Sequence, residues 1–397
     1  MAPSNHIPDD IVFFVLSKLP IKSLKRFECV CKSWSLLIEN TRFMNMFRNN
    51  FLSNLHCYSY YDQASLFMLV HGPYEDFLYS FSREKLESKV KLNISTPFVH
   101  HEEEGYVGDL CIFGFGSISG TFCLYEDGSC KIALWNPSRD EFNHIPPSPV
   151  ESTLPEAARA ICYITPYIHG FGYDLNTCDY KVIRCVFFVG RHVEEWDYVP
   201  SGDVFGDTCL DPVWEIYSLK SNSWRKLDLD MPRSVMGTED ARLYMDGVCH
   251  WLCQYHSPLA PCLVSFDLSS EQFFVTSIPD DCFVVGASYV YLAVLNGCIT
   301  SFRVRENTFQ ISILGELGRK ESWITLFVVG PLSCVLRPIG VGTKGEIFFR
   351  TKDRRVALFD LCTQMIEKLG YEEESCSFPS RVILYKESIL PVEGISS

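Results

Sequence analysis

Apolar residues recur at helical spacing from Ile7 to Ile38, and beyond that they alternate in short runs cut by turn residues. Pro8 followed by Asp9 and Asp10 marks a helix start, with two acids at the positive end of the helix dipole. Ile11, Phe14, Val15 and the stem of Lys18 then share one face, while Val12, Leu16 and Leu19 form a second apolar stripe. Pro20 ends this helix. Ser23 opens the next, where Leu24 and Phe27 share a face, and a third carries Val30 or Cys31, Trp34, Leu37 and Ile38. A helix apolar on two sides has more hydrophobic surface than a three-helix unit can cover. The surplus faces either the rest of the chain or another protein.

The remainder of the chain repeats one unit: a short apolar strand, a polar turn, then an aromatic or apolar residue leading a second strand. "ALWNPSRDEFNHIPPSP" from Ala133, "EIYSLKSNSWRKLD" from Glu215, "VSFDLSSEQFFVTSIP" from Val264 and "ALFDLCTQMIEKLG" from Ala357 are its clear copies. Weaker ones begin at Tyr79, Phe171 and Thr300. Each reads as a hairpin, with Asn, Asp and Ser supplying the turn and the strands half-burying their aromatics. The anchors Phe81, Trp135, Tyr173, Tyr217, Phe266, Phe302 and Phe359 are spaced by 36 to 57 residues. A propeller blade takes about 40 to 50 residues, and radial closure removes the open edges that isolated hairpins would leave. The pattern therefore predicts a small all-α three-helix head followed by an all-β, propeller-like body of about six or seven hairpin or blade units. An array of β-sandwiches is the alternative.

Composition narrows the choices. Hydrophobic residues make up 47% of the 397, which is ample for a core. The net charge of −14 argues against nucleic acid as a partner, because phosphate neutralisation needs clustered Lys and Arg. Residues 1–52 carry seven basic and four acidic side chains, so the head is +3 and the rest −17. That suits a solvated helix face or a docking surface for an acidic partner. The 18 cysteines fall below the roughly 8–10% that marks a disulfide scaffold, and they form no CxxC pair. The chain shows no secretory signal and no run long enough to span a bilayer, so no membrane partner is expected. Reduced cysteines in a cytoplasmic or nuclear protein follow, and no metal or other cofactor is expected.

The head's residues also carry a resemblance. Ile7-Pro8-Asp9-Asp10-Ile11, then Leu16, Leu19-Pro20, Leu24 and Phe27, and finally Val30-Cys31-Lys32-Ser33-Trp34 resemble an F-box, with Ile7 where that family usually has Leu. The resemblance implies docking on an acidic Skp-type adaptor of a cullin-RING (SCF) ubiquitin ligase through Ile7, Pro8, Leu19 and Pro20. Ile11, Leu16, Leu24, Val30 and Cys31 would complete the apolar contact. Phe27 and Trp34 could be core or contact. "LWNPSRDEFNHIP", "EIYSLKSNSWRKLD", "YMDGVCHWL", "VSFDLSSEQF" and "RVILYKESILPV" resemble the F-box-associated, kelch-like domain of plant F-box proteins, the group that includes the S-locus F-box proteins. The diglycine of true kelch repeats is absent, and "GSISGTFCL" departs from the family's usual turn. The organisation expected is a head over 1–52, a substrate-recognition body over 53–392 and a short tail over 393–397.

Catalytic motifs are missing: no Walker A sequence, no G-x-S-x-G elbow, and only a displaced near-match to a propeller Asp-box at Ser201-Gly202-Asp203. The stretch 191–214 interleaves Glu194, Glu195, Asp197, Asp203, Asp207 and Asp211 with Trp196, Tyr198 and Phe205. Aromatic anchors amid steering carboxylates suit a basic protein surface, which makes Trp196, Asp197, Tyr198 and Phe205 the candidate substrate contacts. A mobile insert without a role is the competing reading. The expectation is a non-catalytic substrate receptor joining an adaptor to a protein substrate. A scaffold outside any ligase and a propeller hydrolase are the alternatives.

Overall fold

The structure is a computed structural model. It describes residues 7–27, 30, 32–37, 39–54, 64–71, 76–82, 85–92, 97–98, 110–126, 129–153, 162–190, 208–233, 242–254, 261–279, 288–305, 308–332, 334–342, 344–372 and 380–388. The head holds four helical segments where periodicity predicts three: α1 (Asp9–Leu16), α2 (Ile21–Phe27), the single turn α3 (Lys32–Ser35) and α4 (Thr41–Ser53). Asn40 caps α4, its Oδ1 accepting from the Phe43 amide at 3.1 Å. Phe43, Met44, Phe47 and Phe51 recur on the buried stripe of α4, and Phe13 meets Phe43 edge-on at 5.7 Å.

The body is a propeller of six four-stranded blades. Blade one comprises β1 (Ser65–His71), β2 (Asp76–Ser82) and β3 (Lys85–Leu92). Blade two is β4 (Leu110–Ile112), β5 (Phe122–Glu126), β6 (Ile132–Asn136) and β7 (Glu141–His144), followed by helix α5 (Pro149–Thr153). Blade three is β8 (Cys162–Asp174), β9 (Asp179–Gly190), β10 (Thr208–Ser218) and β11 (Ser223–Lys226). Blade four is β12 (Arg242–Met245), β13 (Val248–Gln254), β14 (Pro261–Asp267) and β15 (Phe273–Ser277). Blade five is β16 (Ser288–Leu295), β17 (Cys298–Arg305), β18 (Thr308–Leu314) and β19 (Trp323–Val329). Blade six is β20 (Val335–Val341), β21 (Glu346–Thr351), β22 (Arg355–Asp360) and β23 (Ile366–Glu372). The last strand, β24 (Arg381–Tyr385), becomes the innermost strand of blade one, pairing antiparallel with β1 from Ser65↔Tyr385 to Leu69↔Arg381. The two ends of the propeller are thereby stitched together, and each blade keeps only its outer strand as a short edge.

The count of six, where seven anchors allowed seven, has a simple cause. Tyr173 and Tyr217 sit on β8 and β10 of the same blade. Five of the anchors, Phe81, Trp135, Tyr217, Phe266 and Phe359, lie on third strands, so the hairpin legible in the sequence is the one joining third and outer strands.

Between blades the cores follow strand alternation. On β13, Cys249, Trp251 and Cys253 pack with Ile183, Phe187 and Trp214 of blade three, whereas Leu252 packs with Leu292, Ile299 and Leu314 of blade five. Cys253 and Cys262 stand opposite each other on β13 and β14, Cα atoms 5.2 Å apart, and are joined by a disulfide. This corrects the expectation of reduced cysteines throughout: register brought two scattered residues into bonding range. Along the axis, Phe113, Phe171, Leu243, Ala293, Val341 and Leu384 converge, one from each blade, around a cavity of only about 40 Å³.

One turn recurs. Asn136, Asp174, Asp267 and Asp360 each end a strand and accept, through Oδ1, from the amide two residues on. The residue four places on, Asp140, Cys178, Glu271 or Gln364, takes positive φ. At Asp174 the turn is bound into the core. Lys181 Nζ donates to Asp174 Oδ2 and to the Leu268 carbonyl at 2.7 and 2.8 Å, and the Ser269 and Thr177 hydroxyls donate as well. Burial alone would raise the Asp174 pKa, but the hydrogen bonds from Lys181, Ser269 and Thr177 prevail and hold it well below the usual carboxylate range. Because the folded pKa is depressed, this stabilisation is complete above about pH 4 and is lost as pH falls through the folded value. Asp174→Asn is expected to cost about 3 kcal/mol at neutral pH, with the deficit shrinking below about pH 4. Urea titrations of both proteins at pH 7 and pH 3 measure this. A deficit equal at the two values would place the loss elsewhere than in the carboxylate charge.

Candidate docking surfaces

The head rests on blades five and six. Leu16, Ile21, Leu24, Phe43 and Phe47 belong to one continuous core with Tyr291, Phe309, Ile311, Leu326 and Phe349. Arg26 pairs with Glu316 at 3.2 Å, Arg48 donates through Nε to the Leu326 carbonyl, and Asn296 donates to the Phe51 carbonyl at 3.4 Å. Gly315 permits the close approach of α2, since a Cβ there would stand 3.3 Å from Ile21 Cγ1.

This seating separates the predicted contact residues into two groups. Leu16 and Leu24 are 4% and 0% exposed and so lie in the core. Both belong to the cluster that the head shares with the propeller, against which Val12 and Leu19 of the same α1 stripe as Leu16 also pack. The other stripe stays open: Ile11, Phe14 and Val15 are 54%, 52% and 52% exposed. Ile7, Pro8 and Val30 are exposed too, as is Leu36, which the sequence reading did not single out. Pro20 is exposed and Leu19 half-buried, and Cys31 lies outside the described residues. Phe27 and Trp34 pack edge-on at 5.7 Å and are half-buried. Lys18 Nζ sits 3.9 Å over the Phe14 ring, and Arg42 reaches Asp10 at 2.8 Å, so cations border the apolar stripe.

The opposite face follows from connectivity. The head approaches the turn after β16 and the turn between β18 and β19, and in antiparallel four-stranded blades those inner-to-second and third-to-outer turns share one face. The second-to-third and blade-to-blade connections share the other. Residues 191–207 join β9 to β10, the second and third strands of blade three, so the strands that bracket them end on the face away from the head. Trp196, Asp197, Tyr198 and Phe205 themselves lie outside the described residues. Among the described residues no group of three or more His, Cys, Asp or Glu is placed to hold a metal ion, and no helix is long and apolar enough to cross a membrane. The side chains that line the axial cavity are apolar or aromatic.

A helical head with an open apolar stripe is thus fused through a shared core to a six-bladed propeller. The F-box domain family matches residues 5–45, and the F-box associated beta propeller domain family matches residues 77–376. The chain belongs to the F-box associated beta propeller family. An F-box/kelch-repeat protein of Arabidopsis thaliana is 25% identical over 86% of this chain and 84% of its own length. The F-box protein CPR1 of the same plant is 24% identical over 95% of this chain and 87% of its own. Among solved structures, an oligogalacturonate lyase of Vibrio parahaemolyticus covers 79% of this chain and 76% of its own at 11% identity and a TM-score of 0.41, too distant to bear on function. In the general sense that an F-box carries, the chain is of the substrate-receptor kind found in SCF-type ubiquitin ligases.

Proposed function

We propose that this protein bridges an Skp-type adaptor, and through it a cullin-RING ligase, to a protein substrate, and performs no bond chemistry itself. The observation that carries the reading is the exposed stripe of Ile11, Phe14 and Val15, flanked by Ile7, Pro8 and Val30, on a head whose other apolar face is buried. An apolar stripe left open by an otherwise well-covered fold is stabilised by a partner. The basic head suits the acidic adaptor that the F-box resemblance implies. Substrate capture falls to the face away from the head, with Trp196, Asp197, Tyr198 and Phe205 as its candidate contacts. Holding both partners at once raises the effective concentration of substrate lysines near the ligase.

The test is co-purification of the full chain with an Skp-type adaptor and a cullin. Ile11→Asp with Val15→Asp is expected to weaken adaptor binding at least 100-fold at unchanged melting temperature, because both side chains are exposed. Trp196→Ala with Asp197→Ala should spare the adaptor and lower substrate recovery. Adaptor binding that survives the double aspartate change would refute the docking surface. Substrate recovery unaffected by the second pair would refute the loop's part.

A further inference from the structure

Strand register brings two cysteines of blade four within reach of each other. Cys253 and Cys262 stand opposite on β13 and β14, with Cα atoms 5.2 Å apart, inside the range that a disulfide spans. Both belong to the core between blades three and four, together with Trp214, Leu227 and Met231. Two further cysteines of that core, Cys185 and Cys249, remain free thiols. Burial pushes both of these thiols up, Cys185 to about 12, so neither forms a thiolate readily. Of the four, only the bonded pair has redox chemistry to offer.

The bond stands near the loose end of its ladder. Only the pair Gln254↔Pro261 lies beyond it, before the second-to-third connection on the face away from the head. Pro261 has no N–H and cannot donate across that pair. Parting the ladder there uncovers the disulfide while the pairs from Val248↔Asp267 to Leu252↔Leu263 stay in place. Cys262 is the less covered of the two, 4% against 0% exposed, so it is the sulfur that an incoming thiolate meets first.

We propose that Cys253 and Cys262 form a redox-operated clamp on the seam between blades three and four, bonded or open according to the balance of small thiols and disulfides around it. Opening consumes two molecules of a small thiol such as glutathione. The first, as thiolate, attacks Cys262 Sγ; the S–S bond breaks and Cys253 leaves as a thiolate that takes up a proton. The second attacks the glutathione sulfur of the mixed disulfide, and Cys262 leaves in the same way. The protein disulfide gains two electrons and two protons, and one glutathione disulfide is formed. Closing runs these steps in reverse. The bonded form holds β13 to β14 at the end where Trp214, Leu227 and Met231 pack, and the dithiol form lets that end fray. Trp214 lies on β10, the strand entered from the connection that carries the candidate substrate contacts, so opening lowers substrate capture. That consequence rests on the function proposed above. The redox equilibrium does not.

The test equilibrates the full chain in glutathione buffers from oxidised to reduced, alkylates it with N-ethylmaleimide without denaturant, and maps the labels by peptide mass spectrometry. Cys253 and Cys262 are expected to pass together from unlabelled to labelled as reduced glutathione rises, and the bond to re-form on return to the oxidised buffer. Cys185 and Cys249 should stay unlabelled throughout, which separates local opening from unfolding. Amide exchange at the ends of β13 and β14 should quicken about tenfold in the dithiol form. Cys253→Ala with Cys262→Ala should exchange at the dithiol rate in every buffer; if that variant fails to fold, the reduced natural chain gives the same comparison. A bond that persists at the reduced extreme, thiols that persist at the oxidised one, labelling only together with Cys185 and Cys249, or exchange that ignores the bond would each overturn the clamp. The disulfide form is expected to recover about threefold more substrate than the dithiol form. Equal recovery with the redox cycle intact would overturn only the link to capture.

Discussion

Arg184→Ala is expected to destabilise the protein by about 3–5 kcal/mol, close to the limit for a single substitution. Arg184 is 1% exposed in the middle of β9. Its Nε and Nη2 donate to Glu215 Oε2 at 3.1 and 3.0 Å, directly across the ladder on β10. Nη2 also donates to Glu151 on α5, and the guanidinium lies 3.9 Å over the Trp224 ring. Truncation leaves Glu215, also 1% exposed, as a buried carboxylate without its cation, and it frees α5 from blade three. The magnitude comes from that stranded charge, not from the worth of the pair. Arg184→Met combined with Glu215→Leu should therefore recover most of the loss, since both charges leave together. Urea midpoints of the single and double variants decide the matter. A double variant as unstable as the single would mean that α5 docking or the Trp224 stack dominates.

The parts of this architecture that were legible in sequence are those with local causes. Hairpins announced themselves because Asp174, Asp267 and Asp360 make the same short-range turn wherever they occur. The head's helical nature, its Pro8-Asp9-Asp10 start and the surplus of apolar surface on α1 followed from 3.6-residue spacing. What spacing could not assign was which stripe faces inward. Leu16 and Ile11 look alike until blades five and six are in place, and then one is core and the other open. Helix α4 lies beyond the three predicted helices, and its signal in the sequence is the spacing of Phe43, Met44, Phe47 and Phe51 after the Asn40 cap. The Cys253–Cys262 bond depends on strand register, and the ring's closure by β24 on partners far apart in the chain. No window of sequence contains the latter.

The shared core has a consequence for how the body can be studied alone. Deleting residues 1–54 is expected to lower the melting temperature by at least about 10 °C or to cause aggregation. Ile21, Phe47 and Phe51 belong to the same buried cluster as Phe309, Ile311 and Leu326 of blade five. Withdrawing three such side chains forfeits roughly 1.5–3 kcal/mol each, a total comparable with the whole stability of many domains. The propeller would also be left with an uncovered apolar flank at Tyr291, Phe349 and Phe359. By the same reasoning the intact chain should unfold in a single calorimetric transition, since the head has too little core of its own to melt separately. A headless chain that melts where the intact one does, or an intact chain with two separated transitions, would show that head and propeller are independent. If they are coupled as the packing requires, a headless chain offered as a substrate trap would capture chaperones and other apolar surfaces. Ile11→Asp with Val15→Asp would then be the sound trap, because it severs docking from the exposed stripe and leaves the core that both parts share in place.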